Sequence, residues 1–427
     1  MSLALGLLVI LLFAALGTPL FAVIAAIALL GFHVAGYDLI VVTVEIYRLG
    51  DMPGLIAIPL FTLAGYLLGE SRAPKRLVRL SNALLGWLPG GLAIVAIVAC
   101  AFFTAFTGAS GVTIVALGAL LYPALRQAGY DERFSLGLVT SAGSLGLLFA
   151  PSLPLILYGF VAGQMGTDPA VTIPDLFLAG VIPGLLMVLM LSAYAMWVGR
   201  TVTQSRHAFD SRELWLALKE TAWELPLPVI VLGGIYSGEL AASEAAAVTA
   251  LYVLVVTVFV KREISLAKLP GVMADSMRLV GAILLILAAA LAMSNWLVDQ
   301  EVPAKLFEYL REHVHSPWVF LLLLNLFLLV VGMLLDIFSA IVILTPLLLP
   351  VAAGFGIHPV HLGVVMLANL QLGYFTPPVG MNLFIAAYRF GQPVTKLVRA
   401  CLPFFLVLAA AVALITWWPA LSLGLLG

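Results

Sequence analysis

The sequence contains little charge. Of its 427 residues, 10% are Asp, Glu, Lys or Arg, and the formal net charge is −1. A chain with this composition has no basic patch for a nucleic-acid partner. It also lacks the share of charged residues that ordinary soluble domains carry on their surfaces. We therefore expect neither a nucleic-acid-binding protein nor a soluble enzyme.

Cysteine and the familiar catalytic motifs are scarce or absent. Cys100 and Cys401 are the only cysteines, and both lie in apolar surroundings, which favours buried free thiols over a disulfide or a metal site. The sequence has no HExxH zinc motif, no Walker A loop and no nucleophile elbow. It therefore predicts no enzymatic activity and no organic cofactor.

Hydrophobic residues dominate what is present. They make up 63% of the chain, and the mean hydropathy is +1.17. Many runs reach the roughly 20 residues that a helix needs to cross a bilayer. The runs are continuous rather than alternating, which argues against a transmembrane β-barrel. The first run continues to about Leu30 without a basic leader, so we interpret it as a span rather than a cleaved signal. The sequence predicts an all-α polytopic membrane protein embedded in a lipid bilayer.

The positions of Lys and Arg predict the topology. Two segments, 90–125 and 317–352, are interpreted as re-entrant hairpins, each of which enters and leaves the membrane on the same face. With this topology, 17 of the 20 Lys and Arg residues lie on one side of the membrane, which we take as cytoplasmic. The first hairpin enters from the cytoplasm and the second from outside. The remaining spans are predicted at 3–30, 53–70, 134–165, 175–198, 223–238, 241–260, 272–298, 360–388 and 399–420.

An internal repeat supports this arrangement. Pro123 and Pro350, Gly129 and Gly356, Gly146 and Gly373, and Pro151 and Pro378 are each 227 positions apart. The charged segments APKRLVRLSNALLGWLPGG and VPAKLFEYLREHVHSPW also match, and are predicted as amphipathic arms along the interface. Chance matching in a Gly-rich chain is the alternative. An odd number of spans between the halves makes the repeats inverted, as in secondary transporters.

Each repeat contains a helix that the sequence interrupts. SLGLLFAPSLP, residues 144–154, and LGYFTPPVGMN, residues 372–382, carry Gly and Pro in the middle of apolar spans. Unpaired backbone groups are tolerated in a membrane where they line a polar cavity. Carbonyl oxygens there suit a small cation, and half-helix N-termini suit an anion. The breaks therefore predict matched sites for a cation and an anionic substrate.

The hairpin tips are predicted to close these sites. TAFTGASGVT supplies Thr107 and Ser110, and DIFSA supplies Asp336 and Ser339. Asp336 is the one carboxylate placed deep in the membrane, where ionised groups usually serve function. It either binds a cation or caps the following helix. The hydroxyl residues, and Asn369, Gln371 and Asn382, are explained by helix–helix hydrogen bonding as well as by ligand binding.

These stretches resemble a known family. GYFTPPVGMNLF, TGASG with ALLYP, and GMLLDIFSAIVILTPLLLP closely resemble the large membrane subunit of tripartite ATP-independent periplasmic (TRAP) transporters. The resemblance implies an elevator-type, sodium-driven importer of small organic acids in the bacterial inner membrane. It implies two partners: a small four-helix membrane subunit and a periplasmic substrate-binding protein. The alternatives are a stand-alone sodium–dicarboxylate cotransporter and a proton-translocating membrane subunit.

The resemblance also implies site residues. One sodium site matches Thr107, Ala109, Ser110, Gly146, Leu148 and Pro151. A second matches Asp336, Gly373 and Thr376, with Leu147 between the two sites. Substrate contacts are expected from Ser110, Ser152, Ser339 and Asn382. Thr107 and Ala109 stand where the family often has serine, so carbonyl rather than side-chain ligation is expected there.

The predicted spans, arms and hairpins divide the chain into functional segments. Residues 1–70 and 166–298 are predicted as scaffold, and 71–88 and 299–316 as the two arms. Residues 89–165 and 317–392 are predicted as the two transport halves, each a hairpin plus a broken helix. Residues 393–427 are predicted as a C-terminal helix.

Overall fold

The computed structural model describes residues 3–51, 53–200 and 209–426. Every regular element within these residues is helical, and none is a strand. Six of the helices are long and apolar enough to cross a membrane. A pair bent by 41°, Glu132–Leu148 with Leu153–Gln164, makes a seventh candidate span. The prediction of an all-α polytopic membrane protein is confirmed.

The N-terminal part consists of short helices. They are α1 (Leu3–Ala15), α2 (Leu20–Val34), α3 (Ile40–Arg48), α4 (Ala57–Glu70) and the first arm, α5 (Ala73–Leu85). The prediction of one continuous span over 3–30 is wrong, because the helix stops between α1 and α2. Gly17 there adopts a φ of +95°, and Pro19 has no amide hydrogen to continue the first helix.

The first transport half contains a hairpin followed by a broken helix. Its helices are α6 (Gly91–Thr107), α7 (Ser110–Ala116), α8 (Gly118–Gln127), α9 (Glu132–Ala142) and α10 (Leu153–Gln164). A 3₁₀ turn, Leu145–Leu148, lies in the break between α9 and α10. The returning arm of the hairpin is two helices rather than one, because the helix is interrupted at Leu117.

The middle of the chain connects the two halves. It forms α11 (Ile173–Gly199), α12 (Ser211–Glu220), α13 (Pro226–Tyr236), α14 (Ala242–Leu254), α15 (Leu269–Asp299) and the second arm, α16 (Val302–His313). A π-helical turn, Val255–Val260, extends α14. Helix α12 lies between the predicted spans 175–198 and 223–238.

The second transport half repeats the first. It comprises α17 (Pro317–Leu334), α18 (Ile337–Gly354), α19 (Pro359–Gly373) and α20 (Met381–Phe390), followed by α21 (Val394–Trp417) and α22 (Ala420–Leu423). All fifteen residues of α19 are buried, which explains why its sequence has no polar face.

Helix boundaries confirm the sequence repeat. The same separation of 227 positions relates three pairs of helix boundaries: the ends of α6 and α17, the starts of α7 and α18, and the starts of α9 and α19. Gly129 and Gly356 both adopt positive φ values, +90° and +76°. Ser144 Oγ donates a 3.4 Å hydrogen bond to the carbonyl of its own equivalent, Gln371. Equivalent positions of the two halves therefore contact each other at this point.

The helices pack into two groups. In the first group α4 contacts α14 and α15, and α15 contacts α2. Helices α6–α11 and α17–α22 form the second group, which meets the first where α4 contacts α6 and α15 contacts α18. Helix α11 therefore packs with the transport halves, although the sequence placed residues 166–298 in the scaffold. Gly180 of α11 explains this, because a Cβ there would lie 2.1 Å from the Leu148 carbonyl oxygen in the first break. Only glycine allows so close an approach.

Candidate functional site

A cavity of about 400 Å³ lies where the two hairpin tips and the two helix breaks meet. Ser110 and Asp336 line it from the tips, and Leu147 and Tyr374 line it from the breaks. Helix α15 of the other helix group closes the opposite side. The structure thus brings together four segments that are far apart in the sequence.

The tip of the first hairpin is held tightly. Gly108 ends α6 with a φ of +63°, and a Cβ at this position would lie 2.6 Å from the Leu153 side chain at the start of α10. Thr107 is fully buried, and its Oγ1 is 3.5 Å from the Ala109 carbonyl oxygen. Both oxygens therefore lie close together within the tip itself.

Ser110 connects the first hairpin to the second transport half. Its Oγ donates a 2.8 Å hydrogen bond to Oδ1 of Asn382 in the first turn of α20. Asn382 Nδ2 in turn lies 3.5 Å from the Thr140 carbonyl oxygen of α9. Both side chains are buried. Two predicted substrate-contact residues are thus partners of each other.

The first break packs against both neighbouring helices. A Cβ on Gly146 would lie 2.2 Å from the Ala101 carbonyl oxygen of α6, so this backbone approach requires glycine. Ser152 caps α10, and its hydroxyl donates a hydrogen bond to the Leu147 carbonyl. The Leu148 carbonyl oxygen lies against α11. Pro151 follows a cis peptide bond.

Asp336 forms the tip of the second hairpin and caps α18. Its Oδ1 accepts hydrogen bonds from the amides of Phe338, at 3.1 Å, and Ser339, at 3.0 Å. Its Oδ2 accepts the hydroxyl proton of Ser339. The expected capping role is confirmed. Asp336 is half-buried and also lines the cavity, so its carboxylate has lone pairs left for a ligand.

The second break supports this tip directly. Tyr374 Oη accepts a 2.6 Å hydrogen bond from the Ile337 amide, and the Gly380 amide donates to the Met333 carbonyl at 3.0 Å. Gly373 packs on Gly332 of α17, where a Cβ would lie 2.5 Å from the Gly332 carbonyl carbon. Hairpin and break therefore form one packed unit.

Thr376 belongs to the backbone support rather than to the cavity wall. Its Oγ1 donates a 2.7 Å hydrogen bond to the Leu372 carbonyl, and its amide donates to the Gly373 carbonyl at 3.0 Å. These bonds replace helical bonds that the break removes. Each carbonyl keeps a second lone pair that could face a cation.

The repeat makes the two tips comparable, and they differ in charge. Ala109 precedes α7 as Asp336 precedes α18, at equivalent positions of the two halves. The first tip therefore closes the cavity with a methyl group and a hydroxyl, and the second with a carboxylate. Of the two tips, the second therefore brings the side-chain carboxylate to the cavity.

Some cavity residues were missed by the sequence analysis. Tyr374 lies inside the quoted LGYFTPPVGMN stretch, and its hydroxyl in an apolar span was a usable signal. Tyr66 of α4 and the α15 residues Leu279, Ala282 and Ile283 also line the cavity. In the sequence, these α15 residues resemble the apolar residues of any membrane-spanning helix, so no motif could have identified them.

A groove of about 580 Å³ continues from the cavity. It shares Tyr66, Gly111, Val112 and Ile385 with the cavity and extends to Glu70 and Tyr388. Glu70 ends α4 next to the arginine-containing arm α5. The groove therefore extends the cavity towards the start of the arm α5, which contains Lys75, Arg76 and Arg79.

Comparison with known proteins shows what this arrangement is similar to. Residues 5–421 match the family described as "Tripartite ATP-independent periplasmic transporter, DctM component". The chain is 36% identical over 383 residues to the C4-dicarboxylate TRAP transporter large permease protein DctM of Pseudomonas aeruginosa, covering 90% of this chain and 88% of that protein.

Two further similarities extend the comparison. The ectoine/5-hydroxyectoine TRAP transporter large permease protein UehC of Ruegeria pomeroyi is 32% identical over 413 residues, covering 96% of this chain and 95% of that protein. The crystal structure of the Alcanivorax borkumensis YdaH transporter matches with a TM-score of 0.61 at 17% identity, covering 88% of each chain, and shows a shared fold. The match to the family over nearly the whole chain shows that this protein belongs to the DctM component family of tripartite ATP-independent periplasmic transporters, the large permease proteins.

Proposed function

We propose that this protein imports a small organic acid across the bacterial inner membrane, driven by sodium ions. The convergence of both hairpin tips and both helix breaks on one cavity is the observation that carries this proposal. Broken helices place carbonyl oxygens and helix termini where a cation and an anion bind together. The large permease proteins of C4-dicarboxylate and ectoine transporters are relatives, which supports a carboxylate substrate.

Two sodium sites fit the two halves. The first uses oxygens of Thr107 and Ala109 together with the Leu145–Leu148 turn. The second uses the Asp336 carboxylate and carbonyls of the second break near Gly373 and Thr376. Sodium is a hard cation that takes neutral and anionic oxygens, and a carboxylate buried beside it is relieved of part of its desolvation cost.

The two helix groups suggest how substrate crosses. In an elevator mechanism, α6–α11 and α17–α22 move as a unit against a fixed group around α4 and α15. The moving group keeps its tips and breaks together through contacts such as the Ser110–Asn382 hydrogen bond. The apolar side chains of Leu279, Ala282 and Ile283 on α15 offer no fixed polar bonds that sliding would break. The described cavity, open towards Glu70, then corresponds to the inward-facing state.

Three components are expected to act together. The family is tripartite and periplasmic by its description. We therefore propose a separate small membrane subunit and a periplasmic binding protein that delivers the substrate. The hairpins are proposed to be re-entrant, the first from the cytoplasm and the second from the periplasm.

Uptake by reconstituted liposomes tests this function. The chain is purified with its small subunit, and the binding protein is added outside with its own acid. We expect uptake under an inward sodium gradient, and none under an equal potassium gradient. Uptake by this chain alone would instead support a stand-alone cotransporter. Uptake driven equally by potassium, or by a proton gradient alone, would overturn sodium coupling.

A further inference from the structure

The cavity has one polar corner and a long apolar wall. The polar corner consists of Ser110 and Asp336 of the hairpin tips and Tyr374 of the second break, and the Tyr66 ring of α4 also lines the cavity. The wall opposite is formed by Leu279, Ala282, Ile283 and Ile286 of α15. None of the lining residues in the part of the chain that the structure describes is Lys, Arg or His. No basic side chain among these lining residues can therefore pair with an anion in the cavity.

The polar corner has few hydrogen-bond donors to spare. The Ser110 hydroxyl already donates to Asn382. The Tyr374 hydroxyl accepts from the Ile337 amide and keeps its own proton for one acceptor. One carboxylate can be bound here, together with a cation at Asp336. A second carboxylate would lie against the α15 wall, where a buried charge without a partner is strongly unfavourable.

Charge balance leads to the same conclusion. Asp336 supplies one negative charge, and one substrate carboxylate supplies a second. Two sodium ions at the proposed sites would make this assembly neutral. A dicarboxylate would leave a net negative charge in an apolar cavity that must cross the membrane. The nearest basic group along α15, Arg278, lies a turn below Ala282, is exposed and is paired with Asp275 at 2.6 Å.

We propose that this permease takes a monocarboxylate with an apolar body rather than a C4-dicarboxylate. The carboxylate binds with sodium beside Asp336 and Tyr374, and the apolar body lies along the α15 wall. This inference rests on the proposed sodium-coupled transport of organic acids. It assigns the α15 wall as the part of the cavity that rejects a second charge.

Matched acids test the proposal directly. Pentanoate and glutarate have five carbons each and differ in one terminal group. The full chain with its small subunit is titrated with each acid in sodium and in potassium buffer, with thermal unfolding as readout. We expect sodium alone to raise the unfolding temperature, and pentanoate to raise it further in sodium only. Pentanoate should bind about tenfold or more tightly than glutarate.

A charge added to the wall provides the matched variant. Ala282 is exposed to the cavity, so Ala282→Arg has room for a guanidinium and should increase glutarate affinity about tenfold or more. Ala282→Gln has similar reach without the charge and should keep the preference for pentanoate.

The possible results distinguish a failure of the monocarboxylate proposal from a failure of the sodium-coupled function. Glutarate binding as tightly as pentanoate, or neither acid binding although sodium stabilises the protein, would overturn the monocarboxylate proposal. Unchanged glutarate affinity in Ala282→Arg would overturn the role of the α15 wall. Loss of any sodium effect would contradict the sodium-coupled function itself.

Discussion

Ser110 Oγ and Asn382 Oδ1 are joined by a 2.8 Å hydrogen bond between residues 272 positions apart. The bond joins the tip of the first hairpin to the helix that follows the second break. Both side chains are buried, so neither can exchange this bond for one to water. The two transport halves are therefore coupled at the wall of the cavity.

Removing this bond should impair transport more than insertion. Ser110→Ala leaves the Asn382 oxygen without its donor, which costs roughly 1–3 kcal/mol for a buried polar group. We expect slower uptake with normal membrane levels. The loss of unfolding free energy in the double variant Ser110→Ala/Asn382→Ala should be no larger than the sum of the losses in the two single variants. The difference, a coupling energy of about 1 kcal/mol, would measure the contact. Strict additivity would show that the bond has no role.

Asp336→Asn separates capping from cation binding. Asn caps helices about as well as Asp, so the variant should fold and assemble. If Asp336 binds sodium, uptake should need about tenfold more sodium for half-maximal rate, because a charged ligand is lost. Ser339→Ala is the matched control, since it removes the hydroxyl bound to Asp336 but keeps the charge. Wild-type sodium dependence in Asp336→Asn would remove this carboxylate from the mechanism.

Gly373→Ala should destabilise the second half. Its added Cβ would lie 2.5 Å from the backbone of Gly332, so α17 and α19 must separate, at an expected cost of about 1–3 kcal/mol. The readout is the unfolding temperature of the purified protein. Gly271→Ala in α15 is the control, because its Cβ would meet no atom within 4 Å. Equal stability of the two variants would refute the close contact.

The first arm contains a pH-sensitive ion cluster. Arg76 of α5 hydrogen-bonds Glu224 and Glu263, whose side chains are 5% and 8% exposed. Burial alone raises the pKa of the Glu263 carboxyl, but the hydrogen bonds from Arg76 and the Arg72 amide outweigh it and hold the pKa below its usual value of 4.5. Because the folded pKa is lowered, this stabilisation is present above pH 4.5 and is lost as the pH falls through the folded pKa.

Glu263→Gln should therefore lower the unfolding temperature at pH 7. It should make little difference at a pH below the folded pKa of Glu263, where the carboxyl is already protonated. The expected loss at neutral pH is on the order of 1–3 kcal/mol, the usual effect of removing a hydrogen bond to a charged group. Glu308→Gln, an exposed position on the second arm, is the control and should have no effect at either pH. A loss that persists unchanged in acid would exclude an ionic contribution.

Topology can be tested at two equivalent helix ends. Gln127 ends α8 and Ala353 lies near the end of α18, and both are exposed. Cysteines at these positions should react with a membrane-impermeant thiol reagent from opposite sides of the membrane. Cys100 and Cys401 are buried and should give little background. Labelling of both positions from one side would contradict inverted repeats.

The amino-acid sequence by itself determined the class of protein and the position of the site along the chain. Long apolar runs indicate membrane-embedded helices, and clusters of Gly and Pro inside such runs indicate breaks, because these residues remove or weaken helical hydrogen bonds. The repeat, both breaks and the Asp336 cap were readable for this reason. Each depends on local backbone chemistry, which neighbouring residues specify.

Only the tertiary structure decided which helices belong together and what faces the cavity. Helix α11 joins the transport halves through a glycine contact with the Leu148 carbonyl, and no local pattern encodes that partner. The split between α1 and α2 needed the backbone angles at Gly17. The α15 wall was invisible because Leu279 and Ile283 carry the same apolar signal as lipid-facing residues. Packing between distant segments, rather than hydrophobicity, determines whether such a side chain meets lipid, protein or substrate.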